Sequence, residues 1–478
     1  MTKALVNGCR IALFDEYPSY LAVAVKMRSG AFGGAASLRC RCIANVAYIA
    51  NVIYTADIAE VLSRPLTFTN VAHIIIRNTA DFHNRNFQSM LLIGKPVQRG
   101  ATMNMILLKN VDVYAPQHVG MTDILLANDK IIEIRPDIEY AITGMPVLDL
   151  QGRQVIPGLI DQHVHSIGGG GEDGYASRVP ALKFSDCVKA GVTTLVGLLG
   201  TDSRTRSLAD LLSMTKGLTA TGITSYCLTG AYEYPSPTLT GSVGNDIVYI
   251  AEVLGVKLAI SDHRCSNPTK EELVKLASEV RIAALLSKKP GVVHLHVGAA
   301  AEGIRKVLEI IRETPIPAKH FRPTHMGGHL DQALEFATCG GYVDITAGEE
   351  TPAKVKELLD RGCPSRLLTM SSDSNGSFPK WNERKEIIGM TYGRMTSLFN
   401  CVRALVNEQG MALEQALPFI TENVARALGL YPRKGVLQEG ADADMVVLGR
   451  GLSIESVMAK GRWLSLDGKI LVKGMYED

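Results

Sequence analysis

Two histidines spaced two residues apart, His163 and His165, are the first residues whose pattern suggests chemistry. They follow the run Pro-Gly-Leu-Ile-Asp at residues 157–161, whose apolar centre predicts a β-strand. Because alternate residues of a strand point to the same face, both imidazoles would project together and could chelate one metal ion. Two histidines at a strand end can equally be hydrogen-bonded polar residues, so the motif alone leaves both interpretations open.

Three further residues of metal-ligand type follow other apolar runs. His296 ends a run at 292–296, His325 follows residues 321–324, and Asp373 follows residues 367–370. Packing gives no reason for ligand residues at so many strand ends, so the set predicts a metal centre. His294 shares the strand parity of His296, and we expect it to be a core residue or a support for the ligands.

A lysine, Lys257, stands inside another apolar run, between Val256 and Leu258. A buried ammonium is costly unless it is paired or chemically altered, although the flexible stem could also carry the charge outward. A desolvated, neutral amine can instead react with carbon dioxide, and the resulting carbamate could bridge two cations. Two metal ions would lower the pKa of a shared water enough to supply hydroxide at neutral pH. Asp373 would then be the general base, or else a ligand only.

The central part of the chain alternates short apolar runs with amphipathic helical segments. Unbroken β-branched runs are typical of strands buried on both faces, as in a parallel sheet covered by helices. Eight such units predict an α/β fold, a (β/α)8 TIM-like barrel over residues 155–433, with its chemistry at the carboxyl ends of the strands. The predicted strands lie near residues 155–160, 193–199, 225–228, 256–260, 292–297, 321–324, 342–345 and 367–370.

Segments of short alternating strands flank the barrel on both sides. They predict a small β-sandwich domain built from residues 103–154 and 434–478. Its strands are expected at residues 106–108, 123–126, 130–134, 443–448, 454–459, 463–466 and 470–472, with an Asn128-Asp129 turn after the second.

Residues 1–102 form an N-terminal extension without regular alternation. We expect either a poorly ordered or artefactual leader, with Met103 or Met105 as the true start, or a folded segment. Basic residues without acidic ones between Pro18 and Ala56 faintly resemble an organelle transit segment.

The composition sets broad limits on partners and location. A formal charge of +2 over 478 residues gives no reason to expect nucleic acid or an anionic membrane as a partner. No apolar stretch of 18 or more residues occurs, which argues against a transmembrane helix. Nine scattered cysteines without a paired framework are typical of a reducing compartment, so we expect a cytoplasmic protein.

At these residues the sequence resembles the amidohydrolase superfamily, through Pro-Gly-Leu-Ile-Asp-Gln-His-Val-His at 157–165 followed in order by Lys257, His296, His325 and Asp373. Within that superfamily it resembles the isoaspartyl (β-aspartyl) dipeptidase family from about residue 105 to the C-terminus. The longer matches are His-Val-His-Ser-Ile-Gly-Gly-Gly-Gly-Glu at 163–172, Gly-Leu-Leu-Gly-Thr-Asp at 197–202, Leu-Thr-Gly-Ala-Tyr at 228–232, Lys-Leu-Ala-Ile-Ser-Asp-His-Arg at 257–264 and Ser-Ser-Asp-Ser-Asn-Gly-Ser at 371–377.

The resemblance implies hydrolysis of the β-aspartyl amide bond of dipeptides by a hydroxide bridging two zinc ions. It also implies a homo-oligomer, an octamer. The implied zinc ligands are His163, His165, carboxylated Lys257 as the bridge, His296, His325 and Asp373, with Asp373 and Tyr232 as catalytic residues. The implied substrate contacts are Gly170, Gly171, Glu172 (to the ammonium), Thr201, Tyr232 (to the carbonyl oxygen), and Arg264 and Ser377 (to a carboxylate).

One position departs from that family. Its members usually place a carboxylate-binding arginine three residues after the histidine of the sixth strand, where this chain has Gly328. Either His329 or a different arginine substitutes, or the substrate lacks that carboxylate. The alternatives are therefore a cyclic-amide hydrolase resembling dihydropyrimidinase or dihydroorotase, against which Glu172 argues, and a non-catalytic scaffold, which should have lost metal ligands.

Overall fold

The computed structural model describes residues 2–6, 9–14, 22–26, 104–382, 384 and 387–477. The chain divides into two units, residues 1–101 and 102–478. In the first unit, strands β1 (Thr2–Val6), β2 (Cys9–Phe14) and β3 (Ala22–Lys26) form an antiparallel sheet. The expectations for the rest of the N-terminal extension lie outside the described residues.

The second unit contains two β-systems and a set of outer helices. Its strands are β4 (Met105–Tyr114), β5 (His118–Ala127), β6 (Lys130–Arg135), β7 (Val147–Asp149), β8 (Gln154–Pro157), β9 (Leu159–Val164), β10 (Val192–Gly197), β11 (Thr224–Gly230), β12 (Val253–Ile260), β13 (Val292–Val297), β14 (Phe321–Thr324), β15 (Val343–Thr346), β16 (Leu368–Ser371), β17 (Ser377–Trp381), β18 (Ile387–Tyr392), β19 (Met445–Leu448), β20 (Ile454–Ala459), β21 (Arg462–Leu466) and β22 (Lys469–Ile470). Its α-helices are α1 (Phe184–Lys189), α2 (Leu208–Thr221), α3 (Val243–Tyr249), α4 (Lys270–Ser287), α5 (Arg305–Glu313), α6 (Leu330–Thr338), α7 (Thr351–Asp360), α8 (Ser397–Asn407), α9 (Leu413–Ala416) and α10 (Glu422–Ala427).

Eight parallel strands, β9 to β16, form the barrel. Strands β9 to β14 hydrogen-bond in sequence order, β15 pairs with β16, and β14 and β16 pack beside β15 and β9 respectively. A parallel bridge between Val164 and Ser374 joins the two edges beyond β16. Strands β9, β10, β12 and β13 are buried at every position, as expected from their unbroken apolar runs. The predicted barrel is confirmed.

Helix α4 shows why the outer helices form and pack. Thr269 and Glu272 make a capping box at its start, which satisfies backbone N–H groups that lack partners in the first turn. Its buried residues recur every three or four positions and face the barrel: Leu273, Leu276, Ala277, Val280, Ala283 and Ala284.

The strands of the small domain join in one nine-stranded sheet. Its strand order is β22-β21-β20-β19-β8-β4-β5-β6, with β7 also paired to β4. The sheet surrounds its own apolar core, which includes Leu108, Ile124, Val155 and Met445. Asn128 adopts a positive φ of 54° in the predicted turn between β5 and β6.

The first predicted barrel strand, 155–160, is divided at Gly158. Strand β8 pairs with β4 and β19 in the small sheet, and β9 begins the barrel one residue after Gly158. A Cβ at Gly158 would lie 2.3 Å from Oγ1 of Thr193, so only glycine fits where the chain passes from one sheet to the other. The apolar run continues through the break because both strands are buried, which hides the break from the hydrophobic pattern.

Across the described residues, no helix combines the length and apolar character needed to cross a membrane.

Candidate metal centre and substrate cavity

The predicted ligands lie together at the carboxyl ends of the barrel strands. His163 is the second-last residue of β9, His165 directly follows that strand, and His296 is the second-last residue of β13. His325 and Asp373 follow β14 and β16 with positive φ angles of 65° and 50°. A positive φ is uncommon for residues with side chains, and such backbone strain concentrates at functional sites.

His163, His165 and Asp373 form the tightest group, with ligand atoms within 4.8 Å of one another. Nε2 of His165 lies 3.1 Å and Nε2 of His163 lies 3.3 Å from Oδ1 of Asp373. Nε2 of His325 lies 4.0 Å from Oδ2 of the same carboxylate. The structure therefore brings three imidazoles around one carboxylate in a buried position.

The group fits a divalent cation, because it holds buried polar atoms without hydrogen-bond partners. These are Nδ1 of His165, Nε2 of His325 and Oδ1 of Asp373. Buried polar atoms are normally satisfied, so the unsatisfied Nε2 of His325 and Oδ1 of Asp373, which face each other from the ends of two strands, indicate that something else binds there. Imidazole and carboxylate are ligands that zinc accepts.

Neighbouring side chains orient two of the ligands. Nδ1 of His163 lies 3.0 Å from Nε2 of His294, which leaves Nε2 of His163 facing Asp373. Oγ1 of Thr346 lies 2.5 Å from Nδ1 of His325. Metal-binding histidines generally engage a polar partner through their other ring nitrogen. The expected supporting place of His294 agrees with this geometry.

His296 joins the cluster differently. Its ring centroid lies 4.5 Å from that of His325, but its Nδ1 is 2.7 Å from the hydroxyl of Tyr232 and its Nε2 is 2.9 Å from Oδ2 of Asp262. Both ring nitrogens are thus engaged within the protein. The contact of Asp262 with His296 joins the loop after β12 to strand β13, which local sequence patterns do not relate.

Lys257 is fully buried, so its ammonium does not reach outward. Its Nζ lies 3.4 Å from Nε2 of His163. Burial lowers the pKa of Lys257 to about 7, which gives the amine a substantial neutral fraction near neutral pH. Burial also lowers the pKa of His163 and of His325 and raises that of Tyr232, so these three groups stay neutral.

The ligands open into a cavity of about 400 Å³, a size suited to a small molecule. Six of the seven predicted substrate contacts line it: Gly170, Glu172, Thr201, Tyr232, Arg264 and Ser377. The seventh, Gly171, does not.

Charged residues of two loops, after β9 and after β12, meet in this cavity. The carboxylate of Glu172 accepts hydrogen bonds from Ser377 Oγ at 2.9 Å and from Arg264 Nη1 at 3.1 Å. Asp262 accepts from both Nε and Nη2 of Arg264 at 2.9 Å. The bond to Asp262 raises the pKa of Arg264, which keeps the guanidinium charged.

A buried arginine absent from the sequence prediction, Arg206, holds the glycine-rich loop that carries Glu172. Its guanidinium donates to the carbonyl oxygens of Ile167, Gly169 (2.8 Å) and Val179 (3.0 Å). Gly168 has a φ of 81°, and a Cβ there would lie 2.1 Å from the Val179 carbonyl oxygen. The loop shape therefore depends on glycine and on a side chain 37 residues away from Gly169.

Gly328 stands where the dipeptidase family usually has an arginine, and the space beside it is empty. Gly328 lines the cavity, and a Cβ there would meet no atom within 4 Å. His329 turns away, with Nε2 2.9 Å from the carbonyl oxygen of Gly298. Of the two substitutes expected from the sequence, His329 is thus otherwise engaged, and Arg264 is the one arginine lining the cavity among the described residues.

Comparison with known proteins identifies relatives. A crystal structure of β-aspartyl dipeptidase from Fervidobacterium islandicum AW-1 in complex with the β-Asp-Leu dipeptide is 38% identical, with a TM-score of 0.72, over 77% of this chain and 98% of that one. The L-hydantoinase of Paenarthrobacter aurescens is 23% identical over 414 residues, which is 76% of this chain and 88% of the relative. N-acetylglucosamine-6-phosphate deacetylase from Pasteurella multocida shares the fold, with 15% identity and a TM-score of 0.54 over 75% of this chain and 99% of that one.

The amidohydrolase family model matches residues 154–464, which include the whole barrel and every predicted ligand. Histidine and aspartate side chains at the carboxyl ends of its strands form a candidate metal site in this region. By this match and by its similarity to the solved relative, the chain belongs to the amidohydrolase family and is a metal-dependent hydrolase.

Proposed function

We propose that this chain hydrolyses the β-aspartyl (isoaspartyl) amide bond of dipeptides. The observation that carries the proposal is the Glu172 carboxylate, bonded to Arg264 and Ser377 in the same cavity as the His/Asp cluster. A β-aspartyl dipeptide has a free ammonium and a free carboxylate on one carbon, and each needs a charged partner in a partly dry site. The 38% identity to a β-aspartyl dipeptidase crystallised with β-Asp-Leu supports this substrate.

Recognition would use the residues of the cavity as follows. Glu172 binds the α-ammonium, and Arg264 with Ser377 binds the adjacent carboxylate. Thr201 has a buried hydroxyl without a hydrogen-bond partner, which leaves it free to bond the substrate. Gly170 lines the same wall and allows a close approach of the backbone, while Gly171 shapes the loop.

The metal centre proposed here is a zinc pair held by His163, His165, Lys257, His296, His325 and Asp373. When bound, such a pair supplies an activated water and polarises the scissile carbonyl. Asp373 accepts the proton of the attacking water at a carboxylate oxygen and passes it to the amine nitrogen of the leaving residue. Tyr232 donates its hydroxyl hydrogen to the carbonyl oxygen as negative charge develops there. With zinc bound, the Tyr232 hydroxyl would already have given up its contact with Nδ1 of His296, so that this nitrogen could be a ligand and the hydroxyl could face the substrate.

Lys257 would serve as a carbamate. Its neutral amine nitrogen bonds to the carbon of carbon dioxide and releases one proton, which leaves a carboxylate with two oxygens. Complete burial, a pKa of about 7 and the contact with His163 support this step, because they favour a neutral amine beside the metal ligands.

Cyclic-amide hydrolysis is a second candidate, supported by the similarity to L-hydantoinase. A cyclic amide of the dihydropyrimidine type has no ammonium, so it gives the Glu172 carboxylate nothing to bind. A β-aspartyl dipeptide has an ammonium that Glu172 can bind, and we favour β-aspartyl hydrolysis for that reason.

Parallel assays of the zinc-loaded full chain with β-Asp-Leu, α-Asp-Leu and dihydrouracil test the proposal. We expect release of leucine from β-Asp-Leu and little or none from its α-linked isomer. Cleavage of dihydrouracil alone would reject the dipeptidase function. Elemental analysis of the same preparation should give about two zinc ions per chain.

A further inference from the structure

One cationic side chain of the cavity, Lys354, has no role in the recognition described above. It lies on helix α7, which follows barrel strand β15, and it lines the cavity together with Gly327 and Gly328. A Cβ at Gly327 would lie 3.3 Å from Cδ and 3.7 Å from Nζ of Lys354. The absence of side chains at both glycines therefore leaves room for the lysine to reach a ligand.

The charges of the cavity make Lys354 the available cation. Among the described lining residues, Arg264 and Lys354 are the two with Lys or Arg side chains. Arg264 is bound by Asp262 and by Glu172. Lys354 pairs at 2.7 Å with Glu350, which is 81% exposed and four residues earlier in the chain. Exposed pairs of this kind contribute little free energy, so a carboxylate of the substrate can replace Glu350.

The two cations also stand at different places around the barrel. Arg264 belongs to the loop after β12, and Lys354 to the helix after β15, with β13 and β14 between them. A β-aspartyl dipeptide has two carboxylates. One shares a carbon with the ammonium and falls to Arg264, which touches Glu172. The other belongs to the leaving residue, across the scissile amide, and needs a separate partner.

Resting on the proposed function, we propose that Lys354 binds the α-carboxylate of the leaving residue, so that the enzyme selects β-aspartyl dipeptides with a free C-terminus. Lys354 thereby supplies the positive charge that Gly328 does not. The wall that holds it is built by Gly327, Gly328 and Ile345, the last with Cγ2 3.5 Å from a Cβ placed at Gly327.

The test compares two substrates, β-Asp-Leu and β-Asp-leucinamide, with the zinc-loaded wild type and the variants Lys354→Ala, Lys354→Arg and Lys356→Ala. Lys356 is the matched control: it lies on the same helix in an exposed i,i+4 pair with Asp360 and does not line the cavity. For Lys354→Ala we expect a rise in KM for β-Asp-Leu of about 10- to 100-fold, the usual effect of losing a charged hydrogen bond. β-Asp-leucinamide lacks the carboxylate of the leaving residue. With this substrate, KM should be the same for Lys354→Ala and the wild type within about 2-fold.

Lys354→Arg should recover most of the affinity for β-Asp-Leu, and Lys356→Ala should match the wild type on both substrates. If Lys354→Ala raised KM equally for both substrates, or for neither, the assignment of Lys354 would be overturned, while the dipeptidase function would stand. A wild type that cleaves neither compound would overturn the proposed function and this inference with it.

Discussion

Nη1 of Arg264 donates a hydrogen bond of 3.1 Å to the carboxylate of Glu172, which joins the loop after β9 to the loop after β12 across the cavity. The two side chains hold opposite charges next to each other without a substrate. A zwitterion can therefore enter by exchanging partners, its ammonium taking Glu172 and its carboxylate taking Arg264. Such an exchange leaves neither charge unpaired, which avoids the cost of partly desolvating a single charge in the cavity.

The first prediction concerns the charge of Glu172. Glu172→Gln keeps the shape but removes the negative charge that binds the ammonium, so KM for β-Asp-Leu should rise about 10- to 100-fold. Succinyl-leucine is β-Asp-Leu without its ammonium, and the wild type should strongly prefer the dipeptide. The variant should lose that preference. Asp173→Asn, at the exposed neighbouring position, is the control and should keep it. Equal effects of Glu172→Gln on both compounds would contradict the role of this residue.

The second prediction concerns Lys257. Lys257→Ala should reduce bound zinc, measured by elemental analysis, and lower kcat by more than about 100-fold, since loss of even an outer partner of a ligand costs 10- to 100-fold. Added acetate or propionate with zinc should restore part of the activity, because a small carboxylate can occupy the space of the carbamate. Full activity of the variant without any added carboxylate would refute the carbamate.

Sequence patterns predicted much of this fold because buried parallel strands give unbroken apolar runs. The bounds of β13, β14 and β20 agree with prediction residue for residue, and the other barrel strands agree within a few residues. The break at Gly158 was missed because burial continues on both sides of it. The small domain was expected from the two flanking segments, and the strands of both segments join in one hydrogen-bonded sheet.

The residues of the site likewise include some that the sequence predicted and some that it did not. His163, His165 and Asp373 were found because each follows a recognisable strand, and the barrel topology brings strand ends together. Arg206, the Asp262–His296 contact and Lys354 were missed because they depend on loop and helix geometry, which has no periodic signal. The octameric state stays a prediction.

The third prediction concerns Arg206 and the glycine-rich loop. Arg206→Met leaves three buried carbonyl groups without their shared donor, so the free energy of unfolding should fall by about 1–3 kcal/mol. KM should rise more than kcat falls, because the loop positions Glu172 rather than the reacting atoms. Arg206→Lys should recover part of both effects.

Arg204→Ala is the matched control for that experiment. Arg204 is 81% exposed and pairs with Glu233 on the surface, so its loss should change the free energy of unfolding by less than about 1 kcal/mol. Unchanged KM in Arg206→Met, with only stability reduced, would assign Arg206 to the fold and not to the positioning of Glu172.

The fourth prediction concerns His320, which is buried before β14 with Nδ1 2.9 Å from the carbonyl oxygen of Gly291. Burial lowers the pKa of His320 below its usual 6.5, so the unfolded chain binds a proton more readily than the folded one. The stability that neutral His320 contributes is therefore complete above pH 6.5 and is lost as the pH falls through the lowered pKa. His320→Asn keeps a donor for Gly291 but cannot titrate. Urea midpoints of the zinc-loaded proteins should fall more steeply for the wild type than for the variant between pH 6.5 and 5.5, and run parallel from pH 7.5 to 8.5. Parallel curves through the acidic range as well would show that His320 does not contribute to the pH dependence.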